Sequence, residues 1–180
     1  MLKAAGHFYE KTSVTSVGFM DLACAETDAL VQAWKKWKGW HALPPYSAWR
    51  DERFGKFNDF ASVAAVIDDG ADYEFEYIGH AHVRAYGVNH QGKRVSELTE
   101  LSPRFGKQLR ASYDLVRISG HPHAFRGTIG GENADARFVG FETVYLPFGG
   151  HGSVSHILNA DIARTIHYCS THKLIFSLFL

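Results

Sequence analysis

Histidine is the residue type in this chain best able to do chemistry, and there are eleven of them. Two pairs, His80-Ala81-His82 and His121-Pro122-His123, set imidazoles two residues apart. On an extended strand that spacing puts both rings on one face, as a metal site requires. The first pair falls where a strand gives way to a helix, where positions i and i+2 diverge, and the second falls in a loop. No H-E-x-x-H, no Cys-x-x-Cys and no carboxylate triad accompanies either pair, so no metal ligand set is assigned. Cys24 and Cys169 are too few for a disulfide framework and read as free thiols of a reducing cytosol. The chain has no G-x-S-x-G, G-x-x-x-x-G-K-[ST] or G-x-G-x-x-G, and Gly130-Gly131 and Gly149-Gly150 precede polar turns rather than helix starts. These motifs give no reason to expect an enzyme.

The elements that must position the histidines start from the stretch Tyr73 to Leu98. Tyr73, Phe75 and Tyr77 alternate with Glu74 and Glu76, the period-2 pattern of a half-buried strand with the three aromatics on one face. After Gly79, His80 to Tyr86 fit two helical turns, Gly87 is placed to stop them, and Gly92 closes a polar turn before Val95 and Leu98. The result is a concave corner. Upstream, Ala61 to Ile67 reads as a strand closed by Asp68-Asp69-Gly70, so an antiparallel hairpin is expected.

Leu30, Ala33, Trp34, Trp37 and Trp40 recur at helical spacing over Thr27 to Trp40, which predicts an amphipathic helix with three indoles on its apolar face. Pro44-Pro45 then opens an ordered but irregular crossing. Ser102 and Pro103 suit a helix start, and Phe105, Leu109, Ser112, Tyr113 and Val116 carry the helix to Ser119, with Gly120 as its stop. Three strand candidates follow, at Ala124 to Ile129, Arg137 to Leu146 and Ser153 to Ala160. The expected fold class is therefore α+β: a five-stranded antiparallel sheet with helices packed on one face and an N-terminal amphipathic helix. Residues 1–26 are read as an extension, 27–162 as the domain and 163–180 as an apolar tail.

At 180 residues, 46% hydrophobic and 14% aromatic, the chain can bury a core by itself. Its formal net charge of zero gives no electrostatic case for nucleic acid or an anionic membrane. The terminal LIFSLFL is far short of the roughly 20 apolar residues of a spanning helix, and an exposed apolar run of that kind predicts burial or dimerisation. No signal peptide is expected.

The corner YIGHAHVRAYGVNHQGKRVSEL and the segment FETVYLPFGG, in this order of elements, resemble a PAS domain. More narrowly they resemble a stand-alone PAS-like family found mainly in alphaproteobacteria. The matching positions are Leu30 and Trp34, Leu43 and Pro44, Gly79, Tyr86 and Gly87, Gly92 and Lys93, and Glu142 with Leu146 and Pro147, within Thr27 to Ile162. The family pattern has Arg near Tyr77 and Thr at His80, so the polar contacts of those residues differ here.

The resemblance implies sensing rather than turnover: a cytoplasmic sensory or adaptor domain that binds a small hydrophobic or aromatic ligand between sheet and helices and alters contacts with a signalling partner, as a homodimer. The residues placed around that cavity are Tyr77, His80, His82, Tyr86, Tyr113, Val116, Phe125, Phe141 and Tyr145. No cofactor is predicted. A haem held by His82 or another cavity histidine is compatible with the family, whereas a flavin adduct is not expected because neither cysteine lies near the short helix. Three alternatives stand beside this reading: a haem- or metal-binding sensor, a cone-shaped α+β isomerase or dehydratase with a buried His–carboxylate pair, and a ligand-free dimerisation module.

Overall fold

The computed structural model describes residues 10–52, 55, 57–86, 88–130, 139–150, 152–168 and 174–177, and within these not the side chains of 10–13, 52, 85–86, 129–130, 139, 163–168 and 174–177. Among these residues seven strands, β1 (Glu10–Ser16), β2 (Ala61–Ile67), β3 (Asp72–Ile78), β4 (His123–Gly130), β5 (Val139–Gly150), β6 (Ser153–Tyr168) and β7 (Leu174–Ser177), form one sheet. Its order is β1-β4-β5-β6-β2-β3, every described pairing is antiparallel, and β7 lies along the end of β6. The fold is α+β, but the expected five-stranded sheet is too small. β1 adds a strand on the edge of β4, and Leu174–Ser177 within the apolar tail add β7. Strand β6 runs from Ser153 through Ile162 to Tyr168, across the expected edge of the domain.

Among the described residues five α-helices, α1 (Ala25–Lys38), α2 (Tyr46–Glu52), α3 (His80–Tyr86), α4 (Val95–Leu101) and α5 (Pro103–Ser119), cover both faces of the sheet rather than one. The reason lies in the central strands. Val144, Leu146 and Phe148 of β5 and Leu158 and Ala160 of β6 pack with Leu30, Val31 and Trp34 of α1 and Trp49 of α2. Their alternate neighbours Tyr145 and Ile157 pack with Leu98 of α4 and Leu109, Tyr113 and Val116 of α5. A strand buried on both faces needs cover on both.

On the first face, Trp34 donates its indole N–H to the Pro147 carbonyl at 2.8 Å, and Trp49 is fully buried. The crossing after Pro44-Pro45 is thus helical in part, since Tyr46 and Trp49, one turn apart, both have the same core to meet. Trp40 does not share the apolar face of α1. It follows Gly39, whose φ of 50° ends the helix, and it is fully exposed.

The β2–β3 hairpin turns through Asp68, Asp69 and Gly70, at φ of 45°, 53° and 93°. Its ladder carries a bulge: Val63 pairs with Tyr77 but Ala64 pairs with Phe75, so Glu76 is the extra residue. A bulge reverses strand parity beyond it. Tyr73 and Phe75 therefore face α4 and α5, while Tyr77 packs edge-on to Trp49 on the opposite face, ring centroids 6.4 Å apart.

Candidate functional site

Gly79 sets the entrance of α3. Its N–H donates to the Ala61 carbonyl at 2.8 Å, and a Cβ built on it would lie 2.1 Å from the Asn58 carbonyl oxygen. The helix that starts there carries His80 and His82 about 200° apart around its axis. His80 points outward, 82% exposed and 3.4 Å from Asp59, so it stands away from any cavity. His82 turns inward and is buried, with Nε2 at 3.7 Å from Oδ2 of Asp161 on β6.

Asp161 belongs to a polar strip across three strands. Thr143 of β5 is its register partner, Asn159 is two residues away on the same face, and Ser62 of β2 is the register partner of Asn159. The Asn159 amide is assigned with its nitrogen donating to Asp161 Oδ2 at 3.1 Å. Its oxygen then accepts from Thr143 Oγ1 at 2.8 Å and from the Ala160 N–H at 3.3 Å. Every amide contact agrees in that orientation, whereas the reverse sets acceptor against acceptor. The strip therefore runs from threonine to amide to carboxylate to imidazole, in a surround that is otherwise apolar.

Above this strip lies a cavity of about 30 Å³ bounded by Phe75 and Ile78 of β3, Leu98 of α4, Phe105, Leu109 and Tyr113 of α5, and Tyr145 of β5. His90 also lines it. It is brought there because the chain after α3 runs along β3, with Gly92 N–H donating to the Phe75 carbonyl and Phe75 N–H to the Lys93 carbonyl. Burial pushes the His90 imidazole below its ordinary pKa. A second cavity of about 40 Å³ shares Phe105, Leu109 and Tyr145 with the first and extends to Val14, Phe125 and Thr143. Spaces of these sizes hold one to a few water molecules.

Of the residues expected at the site, His82, Tyr113 and Tyr145 line the first cavity, and Phe125 and Tyr145 the second. Tyr145 is the hub, edge-to-face with Tyr113 at 5.9 Å and with Phe125 at 6.0 Å. Val116 and Phe141 are buried but line neither cavity. Tyr77 is excluded by the bulge and His80 by the helical turn. The Tyr86 side chain and Gly87 lie outside the described residues. Ser62, His90, Asn159 and Asp161 were not anticipated. The first, third and fourth follow from strand parity once Ile157, and not His156, is known to face α5, while His156 stacks on Tyr46 at 3.8 Å.

No family model, no curated protein and no solved structure matches the chain. What the site can do is therefore set by its own groups. A carboxylate held by an amide and facing an imidazole can accept hydrogen bonds from a ligand or exchange a proton with it. Among the described residues no group of three or more His, Cys, Asp or Glu side chains is arranged to hold a metal ion, and no helix is long and apolar enough to cross a membrane.

Proposed function

We propose that the chain is a PAS-type sensory or adaptor domain whose small-molecule site is the cavity between the sheet and α3 to α5. The observation that carries this reading is the convergence of His82, Tyr113 and Tyr145 with a buried polar strip in one mostly apolar space. A concave apolar site with a few placed polar groups is what a small-ligand pocket requires. The space of about 30 Å³ is well below the ~300–1,000 Å³ of such sites. Binding must therefore move part of the cover formed by α3, α4 and Phe105. That requirement supports sensing: a ligand shifts a conformational balance only by its differential affinity for two arrangements. A signalling protein reading the moved cover, and a second copy of the chain, are the proposed partners; a haem on His82 would need a larger displacement of the same cover.

Native mass spectrometry with an absorption spectrum of the freshly purified protein tests this. A small bound mass that is lost with His82→Ala, and a colourless protein, are expected. A Soret or flavin band would replace the small ligand with a cofactor. Protein with no bound mass, whose Tm no small-molecule addition raises, would leave only the ligand-free dimerisation module.

One observation favours a second reading. The His82–Asp161 pair, 3.7 Å apart in a buried polar site, has the composition of an acid–base couple in which the carboxylate stabilises the imidazolium. The α+β isomerase or dehydratase alternative then applies. Catalytic exchange of the α-protons of small ketones and hydroxy acids with deuterated solvent, lost in His82→Gln, would establish it.

A further inference from the structure

Away from the cavity, we infer that Ser155 is a nucleophile that takes the acyl group of small activated esters, with His156 as its general base and Glu76 as the group that positions the imidazole. The three side chains stand in line. Ser155 Oγ is 2.9 Å from His156 Nδ1, and His156 Nε2 is 3.4 Å from Glu76 Oε2. Tyr46 fixes the ring from a third side, stacked on it with centroids 3.8 Å and planes 15° apart. A hydroxyl within reach of a base that a third group orients is the arrangement that activates a serine. Two bulges bring these residues together. On an unbroken strand the neighbours Ser155 and His156 would point to opposite faces. Here Phe148 pairs with His156 and Gly149 with Val154, so Ser155 is the extra residue of the β5–β6 ladder and its hydroxyl reaches the ring of its neighbour. Glu76 holds the same place in the β2–β3 ladder. Between β6 and β3 lies Ala65 of β2, the register partner of His156, whose methyl leaves the two longer side chains room to meet over it.

The tautomer follows from the partners. A carboxylate only accepts, so the neutral ring carries its hydrogen on Nε2, toward Glu76, and Nδ1 is left to accept the Ser155 hydroxyl. The other acceptor for that hydroxyl, the Phe148 carbonyl, is farther away at 3.4 Å. Burial holds His156 below its ordinary 6.5 against the opposing pull of Glu76, which keeps the ring a neutral base in neutral solution. Ser155 is exposed, so an ester can approach it from solvent. Ser119 makes the contrast: its Oγ lies 3.0 Å from His123 Nε2, but among the described residues no carboxylate faces that ring. In the acylation step Ser155 Oγ bonds to the carbonyl carbon of the ester as its proton passes to Nδ1, and Glu76 faces the imidazolium that forms. The bond from that carbon to the leaving oxygen then breaks, and the leaving group departs with the Nδ1 proton. Water completes the cycle by giving a proton to Nδ1 and its hydroxyl to the acyl carbon, and Ser155 Oγ leaves with that proton.

The test incubates the full chain with p-nitrophenyl acetate at pH 7.5 and follows acetylation site by site with peptide mass spectrometry. Ser155 is expected to be acetylated ahead of Ser119. Ser155→Ala, at an exposed position, should remove that label and leave Tm unchanged. His156→Gln should slow acetylation of Ser155 by about a hundredfold or more, since a positioned general base contributes about 10²–10⁴-fold. Glu76→Gln should slow it by about tenfold or more while the rates at Ser119 and at the lysines stay as they were, a selectivity that a general loss of structure would not give. Acetyl groups on lysines with none on Ser155 overturn the assignment, and so does a Ser155 that reacts equally fast in His156→Gln. Should the stacked ring be needed for folding, Glu76→Gln decides instead, because Glu76 is exposed, and an unchanged Ser155 rate in that variant overturns the relay.

Discussion

Arg126 Nη2 stands 2.7 Å from Glu142 Oε2, and through this pair the sheet fixes where α1 begins. Glu142 is buried in the middle of β5, and besides Arg126 it accepts the backbone N–H groups of Ala23 at 2.8 Å and Cys24 at 3.0 Å and the hydroxyl of Thr27. Ala23 and Cys24 lead into α1 and Thr27 lies in its first turn, so the carboxylate ties the start of the helix to the sheet. Glu142→Gln keeps the shape but removes the charge and turns one acceptor into a donor. The expected loss is about 3 kcal/mol of folding stability, read from urea midpoints. A loss under about 0.5 kcal/mol would mean that α1 is held by its apolar face alone.

The same carboxylate makes the fold acid-labile. Burial alone would raise the pKa of Glu142, but the hydrogen bonds from Thr27, Ala23, Arg126 and Cys24 outweigh it and hold the carboxyl below its ordinary 4.5. Asp72 behaves alike: burial raises it, and Ser96, Tyr73 and Arg110 together bring it below 3.8. His90, His123 and His156 are lowered from 6.5 chiefly by burial, with His121 adding to the effect at His123 and Glu76 opposing it at His156. In every case the unfolded chain binds protons before the folded one as pH falls, so stability falls with pH. The decline should come in two stages, beginning near pH 6.5 with the histidines and steepening below about 4.5 with the carboxylates. Urea midpoints from pH 8 to 3 give the profile. His90→Gln should flatten the first stage only, and a midpoint that rises on acidification would contradict the argument.

Tyr77 and Tyr113 should separate stability from binding. The Tyr77 hydroxyl donates to the Asn58 carbonyl at 2.9 Å on the α1 face, remote from both cavities. Tyr77→Phe is expected to cost about 1 kcal/mol and leave bound ligand unchanged. Tyr113, fully buried and lining the first cavity, should when changed to Phe alter the retained mass in native spectra. A Tyr77 variant that loses ligand would return that residue to the site.

How far the chain could be read in advance depended on whether its structure is local. The α5 start at Pro103, its stop at Gly120 in the left-handed region, and the Asp68–Gly70 reversal are local, and each is visible in the residues that make it. The placement of Tyr77 is not. Alternation is blind to a ladder that sets two residues against one, and nothing in YEFEY marks Glu76 as the extra residue. The polar floor escaped for a related reason. Asn159 and Asp161 face the helices only because β6 takes the parity of Ile157, which is set by its pairing with β5 and β2, both distant in sequence. Likewise, β1 finds β4 across more than a hundred residues, a pairing that no window on either segment contains. Helix α2 was hidden by its length, seven residues between a proline pair and a charged segment.

Gly79 is the position where space rather than backbone angle demands glycine. It is fully enclosed between α3 and the 58–60 turn, and a Cβ would meet three backbone atoms of Asn58 and Asp59 at 2.1, 2.5 and 2.7 Å. Backbone cannot swing aside as a flexible side chain can, so Gly79→Ala must push α3 off the sheet. The cost expected for such overpacking is about 1–3 kcal/mol. Because α3 carries His82, the displacement should also open the 3.7 Å separation from Asp161. Gly92→Ala is the control. Its φ of 79° strains any side chain, but nothing lies within 4 Å of its Cβ, so it should cost about 1 kcal/mol and leave the cavity as it is. Urea midpoints of both variants, read with the Ile78 and Leu98 methyl shifts, distinguish them. Equal shifts in the two would show that α3 is not seated through Gly79.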